Sequence, residues 1–130
     1  KIIDKYKHLE NLHILKNIPR TEFVNLLRRA SCLIGNSSAG ILEAPILKLP
    51  VVNIGNRQKG RLHAENVEFV SHDSKEIEQA INKAVYDKEY RSMVEGCSNP
   101  YGDGHSSQKI ADILHNLTID DKLLTKDITY

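Results

Sequence analysis

The residues of this chain best suited to hold a ligand lie in the run Gly35-Asn36-Ser37-Ser38-Ala39-Gly40-Ile41-Leu42-Glu43-Ala44-Pro45. Upstream, Ser31-Cys32-Leu33-Ile34 reads as a buried strand; downstream, Pro50-Val51-Val52-Asn53-Ile54-Gly55 reads as another. A helix opening between them sets unpaired N–H groups and the positive end of its dipole at the carboxyl end of the first strand. Open α/β sheets bind ligands at such places. Ser37 and Ser38 add hydroxyls, and Gly40 lets a ligand approach the backbone closely. The arrangement suits an anion, above all a phosphate. Helical side chains lean toward the helix N-terminus, so the Glu43 carboxylate is placed to accept two hydrogen bonds from a ribose diol. Ordinary capping, a serine followed by a glutamate about one turn later, is the competing explanation.

The loop Asn56-Arg57-Gln58-Lys59-Gly60-Arg61 strengthens the ligand reading. In a parallel sheet it leaves the second strand at the same edge as the serine turn. The guanidinium groups of Arg57 and Arg61 there suit bidentate contact with phosphate. A charged loop is ordinarily just solvated surface; two polar loops on one edge favour a binding role. A second glycine-rich stretch, Asn99-Pro100-Tyr101-Gly102-Asp103-Gly104-His105-Ser106-Ser107, lacks the Gly-Lys-Ser/Thr ending of a P-loop and follows no strand. It reads as a turn and helix cap.

The elements that must position these residues follow from periodicity. Helical spacing covers 2–9, and 12–15 is a short strand candidate. Thr21 caps a helix over 22–30 with Phe23, Leu26, Leu27 and Ala30 on one face. A strand over 32–34, a helix over 39–47, and strands over 51–54 and 66–70 come next. Ser74 caps a helix to Tyr86 with Ile77, Ala80, Ile81, Ala84 and Val85 inward, a short helix covers 88–94, and Ser106 or Ser107 caps a last one. Four strands alternating with about six helices make a parallel sheet of βαβ units, that is, an α/β, Rossmann-like parallel sheet flanked by helices. A domain is expected over 1–119 and a tail over 120–130.

With 130 residues the chain is one domain at most, and a net charge of +1 gives no reason to expect nucleic acid or an anionic membrane as partner. Seven aromatics and no Trp leave little for stacking on single-stranded nucleic acid. No apolar run approaches about 18 residues, the length of a membrane span. Cys32 and Cys97 belong to no Cys-x-x-Cys or His/Cys cluster, so neither a metal nor a disulfide is expected. Asn116-Leu117-Thr118 matches a glycosylation sequon, read as accidental because a reducing cytoplasm is the expected compartment. The chain begins with Lys1 inside what reads as a helix tail, so a fragment of a longer protein is expected.

Three motifs in order, the serine run over 35–45, the stretch Pro50-Val51-Val52-Asn53-Ile54-Gly55-Asn56-Arg57-Gln58-Lys59-Gly60-Arg61, and Asn99-Pro100-Tyr101-Gly102-Asp103-Gly104, resemble the UDP-N-acetylglucosamine 2-epimerase family, covering roughly 12–114. The likeness is greatest to its hydrolysing branch, which makes N-acetylmannosamine or a related sugar for sialic-acid-like sugars. The resemblance implies the C-terminal half of a GT-B-type two-domain enzyme. It implies a UDP-sugar substrate, no cofactor, a missing N-terminal domain as partner and a homo-oligomer for the full-length protein. Carried over by position, Ser37 and Ser38 contact the diphosphate, Glu43 holds the ribose hydroxyls, Arg57 lies near the phosphates, and Arg61 is placed by motif alone. Ala39 stands where relatives often carry Ser or Cys, at little consequence.

The family reaction eliminates UDP to a glycal-like intermediate, to which water adds with inversion at C2. It needs a base for the C2 proton and a stabilised leaving diphosphate. The chain matches the second need. The family's acidic residues and key histidine fall upstream of Lys1, and His63, His72 and His105 match no catalytic position and are expected on the surface. The catalytic residues are therefore expected elsewhere, and the fragment alone is expected to be inactive. A GT-B glycosyltransferase domain, a non-catalytic UDP-binding module and a domain whose serine turn is merely a cap are the alternatives.

Overall fold

The computed structural model describes residues 2–125. Three parallel strands, β1 (Leu33–Gly35), β2 (Val51–Ile54) and β3 (Val67–Val70), form one sheet in the order β1-β2-β3. Leu33 lies opposite Val51, and Val51 opposite Val67, so the carboxyl ends of all three strands reach one edge.

The period-two alternation of β2 splits the core into two layers. Val51 packs with Leu27 of α2 (Arg20–Arg29), Ile41 of α3 (Ala39–Leu42), Ala44, Leu49 and Val67. Val52 faces the other way, against Ala80 and Ala84 of α4 (Ser74–Tyr86) and Tyr90 and Val94 of α5 (Lys88–Gly96). A parallel sheet covered on both faces explains why β2 is apolar at both Val51 and Val52 rather than alternating with polar residues. The inward set expected of α4 is found, with Ala80 and Ala84 deepest.

Several expectations are corrected. The apolar run at 12–15 is not a strand: it pairs with no neighbour among the described residues, and Leu12, Ile14 and Leu15 are exposed. Four residues of apolar character do not distinguish a strand from a loop whose side chains lie along a groove, and here Leu15 and Ile18 border a hollow beside Leu26. The caps also shift. Asp73, not Ser74, accepts from the N–H groups of Lys75 (2.9 Å) and Glu76 (3.1 Å). The helix assigned to Thr21 starts at Arg20 behind Pro19, with no side-chain cap. Ser106 is already helical in α6 (Ser106–Asn116). The remaining helices among the described residues are α1 (Ile2–Tyr6) and α7 (Asp121–Leu124).

Helix α3 is one turn, not the roughly two and a half expected of 39–47. Pro45 disfavours helical backbone in the residue before it, and the chain continues in tight turns to Lys48. There Lys48 N–H donates to Pro45 O and Leu49 N–H to Ala44 O, with Lys48 at φ 52. These are the paired bonds of a Schellman closure, with lysine where glycine is usual. The Lys48 ammonium donates to Cys97 O and ties this closure to the end of α5.

Asp103 accepts from the His105 N–H (3.1 Å) and from the Lys109 ammonium (3.0 Å), organising the start of α6. These two partners, the His105 N–H first, hold its carboxyl below the usual 3.8. Because the folded value is the lower one, the contribution is complete above the ordinary carboxylate range and is lost as pH falls through the depressed value. In a carboxyl-carbon NMR titration Asp103 is expected to titrate below 3.8, and Lys109→Ala to move it back toward that value.

Candidate functional site

The backbone at the carboxyl edge is shaped by glycine. Gly35 (φ 140) turns the chain out of β1, and Gly55 (φ 77) turns it out of β2. Asn53 Nδ2, buried, donates to Gly55 O at 3.1 Å and fixes that exit. A Cβ at Gly55 would meet the His72 ring at 2.7 Å, so His72, exposed as expected, lies with its ring against the exit of β2.

Ser37 and Ser38 follow β1 as expected. Part of the capping reading holds: Ser37 Oγ accepts from the Ala39 N–H at 3.3 Å, and Ser38 is the N-cap residue without a side-chain bond. The Ser38 hydroxyl and the N–H groups of Ser37 and Ser38 have no partner among the described residues. A single helical turn carries only a small dipole, so local N–H groups and hydroxyls rather than a macrodipole would act on an anion here.

Gly40 does not open the backbone to a ligand. It is buried, its N–H is bonded to Ser37 O (3.2 Å), and an added Cβ would lie 2.8 Å from Val51 Cγ1. Its role is the close approach of α3 to β2, which sets the height of the serine turn over the sheet. Gly40→Ala gains about 0.4–1 kcal/mol from a stiffer unfolded chain but costs about 1–3 kcal/mol by overpacking. Net destabilisation of about 1 kcal/mol is expected by urea unfolding. Val51→Ala in the same chain should relieve the clash, making the two changes non-additive.

The structure brings the basic loop to the serine turn through a residue that sequence reasoning passed over. Gln58, buried between the exposed Arg57 and Lys59, donates from Nε2 to Asn36 O at 2.9 Å. Its Oε1 accepts from Arg61 Nη1 at 2.9 Å. Arg61 is thus spent in holding the loop, and Arg57 is the loop's guanidinium with no partner among the described residues. Nothing in the sequence marks Gln58 as buried; only pairing of the two loops reveals it.

Glu43 caps the end of α3. Its Oε1 accepts from Arg20 Nη1 at 3.1 Å, while Oε2 is buried without a hydrogen-bond partner. A buried acceptor left unpaired is costly and uncommon, and such an atom beside a serine turn calls for a donor. Arg20 was missed because only the fold brings the start of α2 to the end of α3.

Two hollows are lined in part by the loops described above. One of about 210 Å³ sits at the carboxyl ends of β2 and β3, lined by Gly55, Asn56, Lys59, Phe69, Val70 and Ser71. Another of about 400 Å³ joins Pro45 and Lys48 to Asn99, Gly102, Asp103 and Lys109, giving the second glycine-rich stretch a structural place at the start of α6. His63 is exposed and tilts against Phe69 at 5.0 Å, and His105 is exposed at the start of α6. Burial pushes the thiols of Cys32 and Cys97 up, so neither is a thiolate nucleophile at neutral pH. No helix among the described residues is long and apolar enough to cross a membrane.

A parallel sheet sandwiched by helices, with a serine turn and a basic loop bonded together at its carboxyl edge, defines a Rossmann-like unit of the GT-B type. The model of the family described as UDP-N-acetylglucosamine 2-epimerase matches residues 1–115, and the chain belongs to that family. It is 31% identical over 130 residues to a Legionella pneumophila protein named UDP-N,N'-diacetylbacillosamine 2-epimerase (hydrolyzing), covering all of this chain and 33% of that protein. An Escherichia coli protein named polysialic acid biosynthesis protein P7 is 38% identical over 87 residues, 67% of this chain and 22% of that one. A crystal structure from Listeria monocytogenes, named for the same epimerase activity, superposes with a TM-score of 0.72 at 20% identity. That match covers 83% of this chain and 30% of the other, and shows a shared fold. The chain spans about a third of the length of its relatives.

Proposed function

We propose that this chain is the UDP-binding part of a hydrolysing 2-epimerase acting on UDP-N-acetylglucosamine or a related UDP-acetamido sugar. The observation that carries the reading is Glu43 Oε2, a buried carboxylate oxygen without a donor, one turn of helix beyond Ser37 and Ser38. A ribose diol supplies the missing hydrogens once the partly exposed side chain turns Oε2 outward to meet it. The unpaired Ser38 hydroxyl and the N–H groups of Ser37 and Ser38 then face a diphosphate, with Arg57 adding positive charge. Charge that builds on UDP as the C1–O bond breaks is stabilised by these donors. Elimination to a glycal-like intermediate, followed by addition of water with inversion at C2, gives free UDP and a sugar such as N-acetylmannosamine, a precursor of sialic-acid-like sugars.

The naming of the Legionella pneumophila relative supports the hydrolysing outcome, and the Escherichia coli relative supports the sialic-acid connection. The reading places the domain at 1–119 and a tail at 120–130. It assigns the C2 base to an upstream N-terminal domain, leaves the chain inactive by itself, and expects a homo-oligomeric cytoplasmic enzyme. The test is product analysis of the full-length protein with UDP-N-acetylglucosamine and with a UDP-diacetamido sugar. Free UDP and a free C2-inverted sugar are expected. A C2-inverted sugar still attached to UDP would replace the hydrolysing reading with the non-hydrolysing one, and transfer only to an added acceptor would indicate a glycosyltransferase.

A further inference from the structure

We infer that Arg20 is a positioning residue for the nucleotide: its hydrogen bond to Glu43 Oε1 holds the carboxylate at the end of α3, beside the serine turn, for the ribose. The inference rests on the ribose role proposed for Glu43. The contact is one-pronged, from Nη1 to Oε1 at 3.1 Å. A two-pronged guanidinium–carboxylate pair would occupy both oxygens, whereas this one holds the group and leaves Oε2 unpartnered. The Glu43 side chain retains 25% exposure, so without a second point of attachment it would sample rotamers that carry both oxygens into solvent. Arg20 itself is 73% exposed, and an ion pair so open to water adds little to folding. Its effect is therefore expected in binding rather than in stability.

Arg20 stands at the first position of α2, and Glu43 closes α3. The pair links residues 23 apart on elements that also share one apolar cluster, with Phe23 and Leu27 from α2 and Ile41 and Leu42 from α3. Ordering the carboxylate before the nucleotide arrives removes a rotamer cost from binding. The benefit is confined to the hydroxyls that Glu43 receives, so the ribose, and not the diphosphate, should report it.

The experiment is calorimetric titration of the full-length protein with UDP and with 2'-deoxy-UDP, in the natural sequence and in Arg20→Gln and Arg20→Lys. A hydrogen bond to a charged acceptor predicts that the natural protein prefers UDP by about tenfold. Arg20→Gln is expected to weaken UDP by about fivefold while leaving 2'-deoxy-UDP within about twofold, so that the preference falls to about twofold. Arg20→Lys, which keeps a donor and a charge, is expected to restore part of it. If Arg20→Gln keeps the full preference, or lowers both affinities equally, the positioning role is wrong while the ribose role of Glu43 stands. If the natural protein does not distinguish the two nucleotides, both fall. Unchanged circular dichroism separates these results from misfolding.

Discussion

Replacing Asn66 by alanine is expected to destabilise the fold by about 2–3 kcal/mol, because two buried carbonyls lose their donor. Asn66 precedes β3, is fully buried, and donates from Nδ2 to Leu49 O at 3.0 Å and to Gly40 O at 3.4 Å. One side chain thus joins the closure after α3, the serine-turn helix and the entry of β3. Its own carbonyl accepts from the Tyr90 hydroxyl at 3.1 Å, extending the link to α5. Burial, then the nearby Glu68 carboxylate, pushes the Tyr90 phenol well above its ordinary value, so it stays a protonated donor at neutral pH. The longer of the two Nδ2 bonds is the weaker. Asn66 Oδ1 has no partner, so losing it returns some of the cost. Those two facts keep the expected loss below the sum of two full bonds. Asn66→Leu fills the volume but still strands both carbonyls, and should be destabilised nearly as much. Urea unfolding of the full-length protein reads both, and a change below about 0.5 kcal/mol for Asn66→Ala would sink the idea that the amide anchors the turn.

The residues that build the layers were readable in the sequence because their signals are local. Val51 and Val52 are adjacent apolar residues between turn-formers, and the bounds of β2 fall where Pro50 and Gly55 put them. Ala80 and Ala84 repeat at helical spacing and are buried on one face of α4. Failure begins where a signal is shared by two outcomes. The run at 12–15 is as apolar as a strand, but β1 bonds to β2 alone among the described residues, and 12–15 runs exposed beside α2. Asp73 and Ser74 are both good caps, and competition for the same N–H groups of α4 is decided by one residue of register. At the candidate site, Ser37, Ser38, Glu43 and Arg57 are proposed from residue type and spacing. Arg20 and Gln58 are not, because each acts across a gap of more than twenty residues that only the fold closes. Gly40 was visible for the wrong reason: the glycine is required, but by Val51 and not by a ligand.

Glu43→Ala is expected to weaken UDP binding by the full-length protein about 100-fold, and Glu43→Gln about tenfold, by calorimetric titration. The larger figure corresponds to two hydrogen bonds to a charged acceptor at about 1.5 kcal/mol each, less the share that water recovers. The smaller one follows from the geometry of the pair. Glutamine can keep its oxygen on Arg20 Nη1, which turns its NH₂ toward the place of Oε2. One ribose hydroxyl can rotate to accept from that group, but the diol can no longer donate twice to one carboxylate. Stability should change little in either variant. The Arg20 pair is exposed on the arginine side and is worth about 0.2–1 kcal/mol. Glu43→Ala also removes an unpaired buried oxygen, which offsets that loss. In turnover, contacts to the ribose are made equally in ground and transition states, so KM should rise with kcat largely kept. A large fall in kcat at unchanged KM would instead place Glu43 at the reacting carbon. Affinity for UDP within twofold of the natural protein in Glu43→Ala would remove the ribose from this site and leave Ser37 and Glu43 as the ends of an ordinary capped turn.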